Sequence, residues 1–96
     1  MNDELFDWDD ANIRHIAEHD VTPEESEEVL LGEPLEMGQD PRSPGEERWS
    51  FAGETSEGRI LQVVITMRSE KIRVVTAFEP IRRIKLRYLQ SKAGKP

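Results

Sequence analysis

The sequence contains no cysteine, which excludes disulfide bonds, thiolate metal ligands and cysteine nucleophiles together. Aromatic residues are scarce, at 6% of the chain, and no apolar run approaches the roughly 20 residues that a membrane-spanning helix needs. The acidic start Asn2-Asp3-Glu4 lacks the basic flank and apolar centre of a signal peptide. We therefore expect a cytoplasmic protein that does not associate with membranes and that derives its stability from packing.

The two signs of charge are distributed unevenly along the chain. Residues 1–60 carry 4 Lys or Arg against 18 Asp or Glu, a net charge of −14. Residues 61–96 carry 9 against 2, a net charge of +7, which gives −7 for the whole chain. A basic C-terminal third suits phosphate or an acidic partner, whereas the acidic part repels nucleic acid unless it faces elsewhere. The same charges can also be ordinary solvated groups that pair when the chain folds.

Two helices are predicted in the N-terminal third. Asp9 or Asp10 can cap a first helix that runs to about Glu18. The segment Thr22-Pro23-Glu24-Glu25 combines an N-cap threonine, a proline at the first helical position and a glutamate at the third. This pattern is the capping box of a second helix, which ends near Gly32.

The rest of the chain is predicted to form strands and one closing helix. The predicted strands cover residues 35–37, 48–52, 60–67 and 72–77, and residues 39–45, with two prolines and a glycine, form an exposed loop. Pro80 opens a last helix in which Ile81, Ile84 and Tyr88 share one face. The expected fold is therefore α+β, with two N-terminal helices, a three- to four-stranded antiparallel sheet and one C-terminal helix. We expect a single domain over residues 1–96, with a core at about 6–90 and a frayed tail at 91–96.

The two histidines of the sequence stand one helical turn apart. Asn12, His15 and His19 share one face of the first helix, and imidazole has a reference pKa of about 6.5, which suits acid or base chemistry near neutral pH. His15-Ile16-Ala17-Glu18-His19 also fits the H-x-x-E-H pattern of inverted zinc proteases. That site needs a third ligand and a cleft for which 96 residues leave little room, so we expect no catalytic metal. Adventitious zinc or nickel binding at the two histidines stays open.

Several short motifs lie in an order that is characteristic of a known family. They are Phe6-x-Trp8-Asp9, Asn12 with His15 and His19, Glu47-Arg48, Arg59 and the strand at 72–77. Over about residues 6–88 the chain resembles the BrnT-like family of bacterial toxins. The resemblance implies a RelE-like fold, endoribonuclease activity on RNA and membership of a two-gene toxin–antitoxin module. It also implies a BrnA-like antitoxin as the protein partner, and the sequence leaves a monomer and a homodimer open.

The chemistry implied by this resemblance is metal-independent cleavage of RNA by attack of the 2′-OH. It requires a base, an acid and cations that neutralise the phosphate, and no cofactor. The catalytic candidates are His15, His19, Arg73 and Tyr88. The candidates for RNA binding are Arg48, Trp49, Arg68, Arg82 and Arg83.

Each candidate also has a purely structural interpretation. A histidine beside an apolar stripe is often a packing or capping residue. Trp8 and Trp49 can be core aromatics, and Tyr88 continues the apolar stripe of the last helix. Arg82 and Arg83 lie outside that stripe and can simply be solvated.

One segment departs from the family pattern. Many BrnT-like proteins continue the last strand as Ser-Ala-Arg, whereas this chain reads Thr76-Ala77-Phe78-Glu79-Pro80. Phe78 replaces the arginine, and Glu79 is expected to add negative charge where a phosphate would sit. The alternative function is therefore a non-catalytic protein-binding module that keeps the fold and lacks the phosphate site.

Overall fold

Residues 1–40 and 45–94 are described by the computed structural model, and they form three helices and four strands. In chain order the elements are α1 (Asp10–Ala17), α2 (Pro23–Leu31), β1 (Leu35–Gln39), β2 (Trp49–Glu54), β3 (Ile60–Arg68), β4 (Lys71–Phe78) and α3 (Arg82–Ala93). The predicted α+β class and order of elements are confirmed. No helix among the described residues is long and apolar enough to cross a membrane.

Reciprocal capping boxes begin both N-terminal helices. The side chain of Asp9 accepts from the backbone of Asn12, and the Asn12 side chain accepts from the backbone of Asp9. Thr22 and Glu25 form the predicted box at the start of α2. The caps satisfy backbone N–H groups that have no partner inside the helix, and they fix where each helix begins.

The sheet is antiparallel throughout, in the order β1-β2-β3-β4. Val64 pairs with Thr76 and Ile65 with Val74, so Val75 is an extra residue that forms a bulge in β4. The N-terminal segment covers the outer edge of β4 at Ile72, through a parallel bridge with Phe6. Both backbone groups of Ile72 on that edge are thereby bonded, so this part of the edge is closed to another chain.

The core lies between one face of the sheet and the helices α1 and α2. Its buried cluster is Ile16, Val21, Val29, Leu61, Val63, Ile65, Val74 and Ala77. At Gly53 an added Cβ would lie 2.9 Å from Cγ1 of Val29, so α2 packs directly on the backbone of β2. Helix α3 lies on the opposite face, where Ile84 and Arg87 share a cavity with Ser50 and Gln62.

The C-terminal region differs from the sequence prediction. Helix α3 begins at Arg82 with Ile81 as its N-cap, and it continues to Ala93, so residues 91–93 are helical where a frayed tail was expected. The reason is an ion pair between Lys92 and Glu54 on β2, which ties down the last turn. Residues 95 and 96 of the expected tail, and residues 41–44 of the expected loop, lie outside the described residues.

Candidate functional site

His15, Arg48 and Arg73 line a single cleft of about 250 Å³. They come from α1, from the residue before β2 and from β4. Thr66 pairs with Arg73 across the sheet, next to Ile65 and Val74 in the core. Because side chains alternate along a strand, Thr66 and Arg73 both face away from that core. The remaining lining residues are Ala11, Asn12, Glu46, Val74 and Val75.

The imidazole of His15 is held between two polar groups. Its Nε2 lies 3.0 Å from Oγ1 of Thr76, and its Nδ1 lies 3.6 Å from a carboxylate oxygen of Glu18. A carboxylate beside Nδ1 favours the tautomer with the proton on Nδ1, which leaves Nε2 as the acceptor. His15 is exposed at the cleft, so its ring can exchange Thr76 for a ligand.

His19 lies beside His15 but does not line the cleft. The two ring centroids are 5.6 Å apart in an edge arrangement, and the ring of Phe78 lies 6.1 Å from His19 on the other side. Among the described residues no three His, Asp or Glu side chains are arranged to hold a metal ion. His15, His19 and Phe78 form an aromatic row that runs from the cleft, past the end of α1, to the end of β4.

Arg73 is the most buried cation of the cleft, with a side chain 15% exposed. Its guanidinium donates from Nη1 to Oδ2 of Asp9 at 3.0 Å and from Nη2 to Oδ1 at 3.1 Å. It also contacts Asp7 at 3.4 Å. The hydrogen bond from Arg73 holds the pKa of Asp9 below its usual value, with a further contribution from the Asn12 backbone, and the same bond raises the pKa of Arg73.

Arg48, the second arginine of the cleft, is also paired with a carboxylate. Oε2 of Glu46 accepts a hydrogen bond from Nε of Arg48 at 2.8 Å and lies 2.7 Å from Nη2. Outside the cleft lining, the exposed Arg68 lies 3.4 Å from Asp7. These carboxylate partners were not predicted from the sequence. The Glu46–Arg48 pair was open to prediction, because the two opposite charges are only two residues apart.

Trp49 and Arg48 do not form a shared surface. Arg48 lines the cleft, whereas Trp49 packs against the core cluster on the other side of the sheet. Neighbouring residues of an extended chain point to opposite faces, which is why the two side chains separate. Arg82 and Arg83 are exposed at the start of α3, do not line the cleft and make no hydrogen bond or ion pair among the described residues.

Tyr88 also lies away from the cleft. It is buried where α3 crosses β2, and its hydroxyl donates to a carboxylate oxygen of Glu54 at 3.2 Å. Burial raises the pKa of Tyr88, and the charge of Glu54 raises it further. Tyr88, Glu54 and Lys92 line a separate cavity of about 290 Å³, so the structure does not bring Tyr88 to His15.

Phe78 and Glu79, the residues that depart from the family pattern, are outside the cleft lining. Glu79 accepts from Nε of Arg59 at 3.2 Å, and Arg59 also binds Glu25 and the backbone of Asp20. Glu79 therefore adds no charge to the lining of the cleft. Its carboxylate pairs with Arg59, which connects β3 to the start of α2.

A family model described as the ribonuclease toxin BrnT of type II toxin–antitoxin systems matches residues 8–83. The match contains every residue that lines the cleft and ends before Tyr88. No curated protein matches the sequence.

Proposed function

Because the chain belongs to the BrnT family of ribonuclease toxins of type II toxin–antitoxin systems, we propose that it cleaves RNA in the cleft of His15, Arg48 and Arg73. The family implies an RNA substrate and an antitoxin partner. The observation that supports this site is the convergence of one imidazole and two guanidinium groups on one cleft. This combination provides a proton acceptor beside two phosphate-binding groups.

In the proposed mechanism His15 is the base. Its Nε2 takes the proton of a ribose 2′-OH, and the 2′ oxygen attacks the adjacent phosphorus. Arg48 and Arg73 neutralise the charge that grows on the phosphate oxygens. The bond to the 5′ oxygen breaks. His19 is the proposed acid that protonates the leaving oxygen; it is outside the cleft lining, with its ring centroid 5.6 Å from that of His15, so the leaving group has to extend toward it. The products are a 2′,3′-cyclic phosphate and a 5′-hydroxyl end, and no metal takes part.

The test is incubation of purified protein with RNA in the presence of a chelator. Cleavage that leaves cyclic phosphate ends and spares 2′-O-methyl RNA supports the mechanism. His15→Gln and Arg48→Gln should each reduce cleavage by about 10²-fold or more. Arg14→Gln is the matched control, because Arg14 is an exposed cation of α1 that does not line the cleft. Cleavage that persists in His15→Gln would contradict the assignment of the base.

The non-catalytic binding module remains the second candidate, and one observation favours it. Both arginines that line the cleft within the described structure are already bound to carboxylates, Arg48 to Glu46 and Arg73 to Asp9. Paired cations bind phosphate less well than free ones, because a carboxylate must be displaced or tolerated. Intact RNA at high protein excess would establish this alternative.

We also propose that a BrnA-like antitoxin docks on the exposed side of α3. That side carries Arg82 and Arg83 beside Leu86 and Leu89, which are 45% and 42% exposed. Cations next to apolar side chains suit an acidic partner segment that also carries apolar residues.

The test uses the product of an adjacent gene that encodes a small DNA-binding protein. The two proteins are purified together, and Leu89→Glu should weaken their association. Leu31→Glu, at an exposed leucine of α2, is the matched control. Absence of such a neighbouring gene, or equal effects of the two variants, would contradict the docking proposal.

A further inference from the structure

Glu46 binds Arg48 in the geometry that a phosphate oxygen would use. One oxygen, Oε2, accepts a hydrogen bond from Nε at 2.8 Å and lies 2.7 Å from Nη2 of the same guanidinium. This two-donor edge is the part of arginine that matches carboxylate and phosphate oxygens. Glu46 itself lines the cleft. An acidic side chain of the protein therefore occupies a phosphate-binding edge.

The Glu46–Arg48 pair can open and admit a ligand more easily than the Asp9–Arg73 pair of the same cleft. Arg48 and Glu46 have side chains 32% and 48% exposed, and the Glu46 side chain makes no second hydrogen bond among the described residues. Exposed pairs of this kind are weak. Asp9, by comparison, caps α1 while it binds the more buried Arg73, so it cannot leave without disturbing the helix. A ligand can displace Glu46 more readily than Asp9.

We propose that Glu46 is an internal competitor for RNA, which holds the phosphate-binding edge of Arg48 until a backbone phosphate displaces it. This inference rests on the proposed function, since it assigns a regulatory role at the same cleft. Glu46 weakens RNA binding in two ways, because it blocks the donors of Arg48 and because it adds a negative charge beside the phosphate. The site is therefore partly masked in the free protein.

The experiment measures binding of a fluorescent 2′-O-methyl RNA, which cannot be cleaved by 2′-OH attack, in chelator and low salt. Glu46→Gln keeps the size of the side chain and removes its charge. We expect it to bind RNA about two- to fivefold more tightly than the unmodified protein. Glu47→Gln removes the same charge from the next residue, which is exposed and does not line the cleft, and it should have a smaller effect.

The salt dependence of binding provides a second readout that a structural role would not change. In the unmodified protein Glu46 cancels part of the positive charge that Arg48 presents to the RNA backbone, so fewer counterions are released when RNA binds. In Glu46→Gln this charge is absent, so the slope of log affinity against log salt should steepen, by at most about 0.7. Circular dichroism of both variants checks that the fold is unchanged.

Any of the following results would overturn the inference. Unchanged or weaker binding by Glu46→Gln would mean that Glu46 does not compete or that it orients Arg48. An equal gain in RNA affinity in Glu47→Gln would mean that the effect comes from net charge alone and not from the position of Glu46. If Arg48→Gln weakens binding while Glu46→Gln has no effect, masking fails and the proposed function stands. If neither the unmodified protein nor any of the variants binds RNA, both the masking by Glu46 and the proposed function fail.

Discussion

Arg73 binds both carboxylate oxygens of Asp9, at 3.0 and 3.1 Å, and thereby joins β4 to the N-cap of α1. The same guanidinium lines the cleft with His15. One ion pair therefore positions the helix that carries the imidazole and the cation that faces it. Fold and site are coupled at this contact.

Asp9→Asn should lower the melting temperature at pH 7 while it keeps the cap, because asparagine is also a good N-cap residue. The pKa of Asp9 is lowered in the folded protein, mainly by Arg73, from a reference of 3.8. Its contribution to stability is therefore present above about pH 4 and is lost as the pH falls through the lower, folded pKa. The difference between Asp9→Asn and the unmodified protein should shrink as denaturation is measured from pH 5 down to pH 2. Asp10→Asn is the control, and a difference that does not depend on pH would contradict the role of the charge.

Thr76→Val should raise RNA cleavage by about two- to fivefold at limiting RNA. Nε2 of His15 is the proposed base, and in the free protein it lies 3.0 Å from the hydroxyl of Thr76, which the substrate must displace. Valine removes this competing hydroxyl, and a net hydrogen bond is worth about 1 kcal/mol, which corresponds to roughly a factor of five. The measurement is the initial rate of cleavage at saturating and limiting RNA. A rate well below that of the unmodified protein would mean that Thr76 positions the imidazole.

Phe78→Arg should strengthen RNA binding by about three- to tenfold, since it places a cation beside His19 at the end of the aromatic row. Glu79→Gln changes the net charge by the same amount but alters a residue that pairs with Arg59 outside the cleft. It should leave RNA affinity within about twofold, because an exposed pair contributes little. Measuring the RNA affinity of both variants separates the effect of a cation at position 78 from the effect of net charge. Equal effects would show that the position of Phe78 is irrelevant.

Tyr88→Phe should leave RNA cleavage unchanged and lower the free energy of unfolding by about 1 kcal/mol, the usual net contribution of a hydrogen bond. The hydroxyl donates to Glu54 in a cavity that His15 and Arg73 do not line. Urea denaturation and a cleavage assay on the same preparation check the two parts. A large loss of cleavage with unchanged stability would return Tyr88 to the list of catalytic candidates.

The contacts that the sequence predicted correctly are those between residues a few positions apart. The box of Thr22 and Glu25 was predicted because both side chains act within three residues. The shared face of His15 and His19 was likewise predicted from helical periodicity. The separation of Arg48 from Trp49 was missed although residues 48–52 were predicted as a strand, whose alternation already places neighbouring side chains on opposite faces. Only the face that meets the core had to come from the packing of the chain.

The sequence by itself determined the α+β order, the starts of α1 and α2 and the pairing of the two histidines, because each depends on backbone periodicity and on side chains a few residues apart. Only the tertiary structure decided that His15 meets Thr76, 61 residues later, that Arg73 binds Asp9 and that Tyr88 serves Glu54. These contacts depend on the strand register, on the bulge at Val75 and on the face of the sheet that α3 covers. Such choices are made by the packing of the whole chain, since many registers fit the same local pattern and only one also buries the core and pairs the charges.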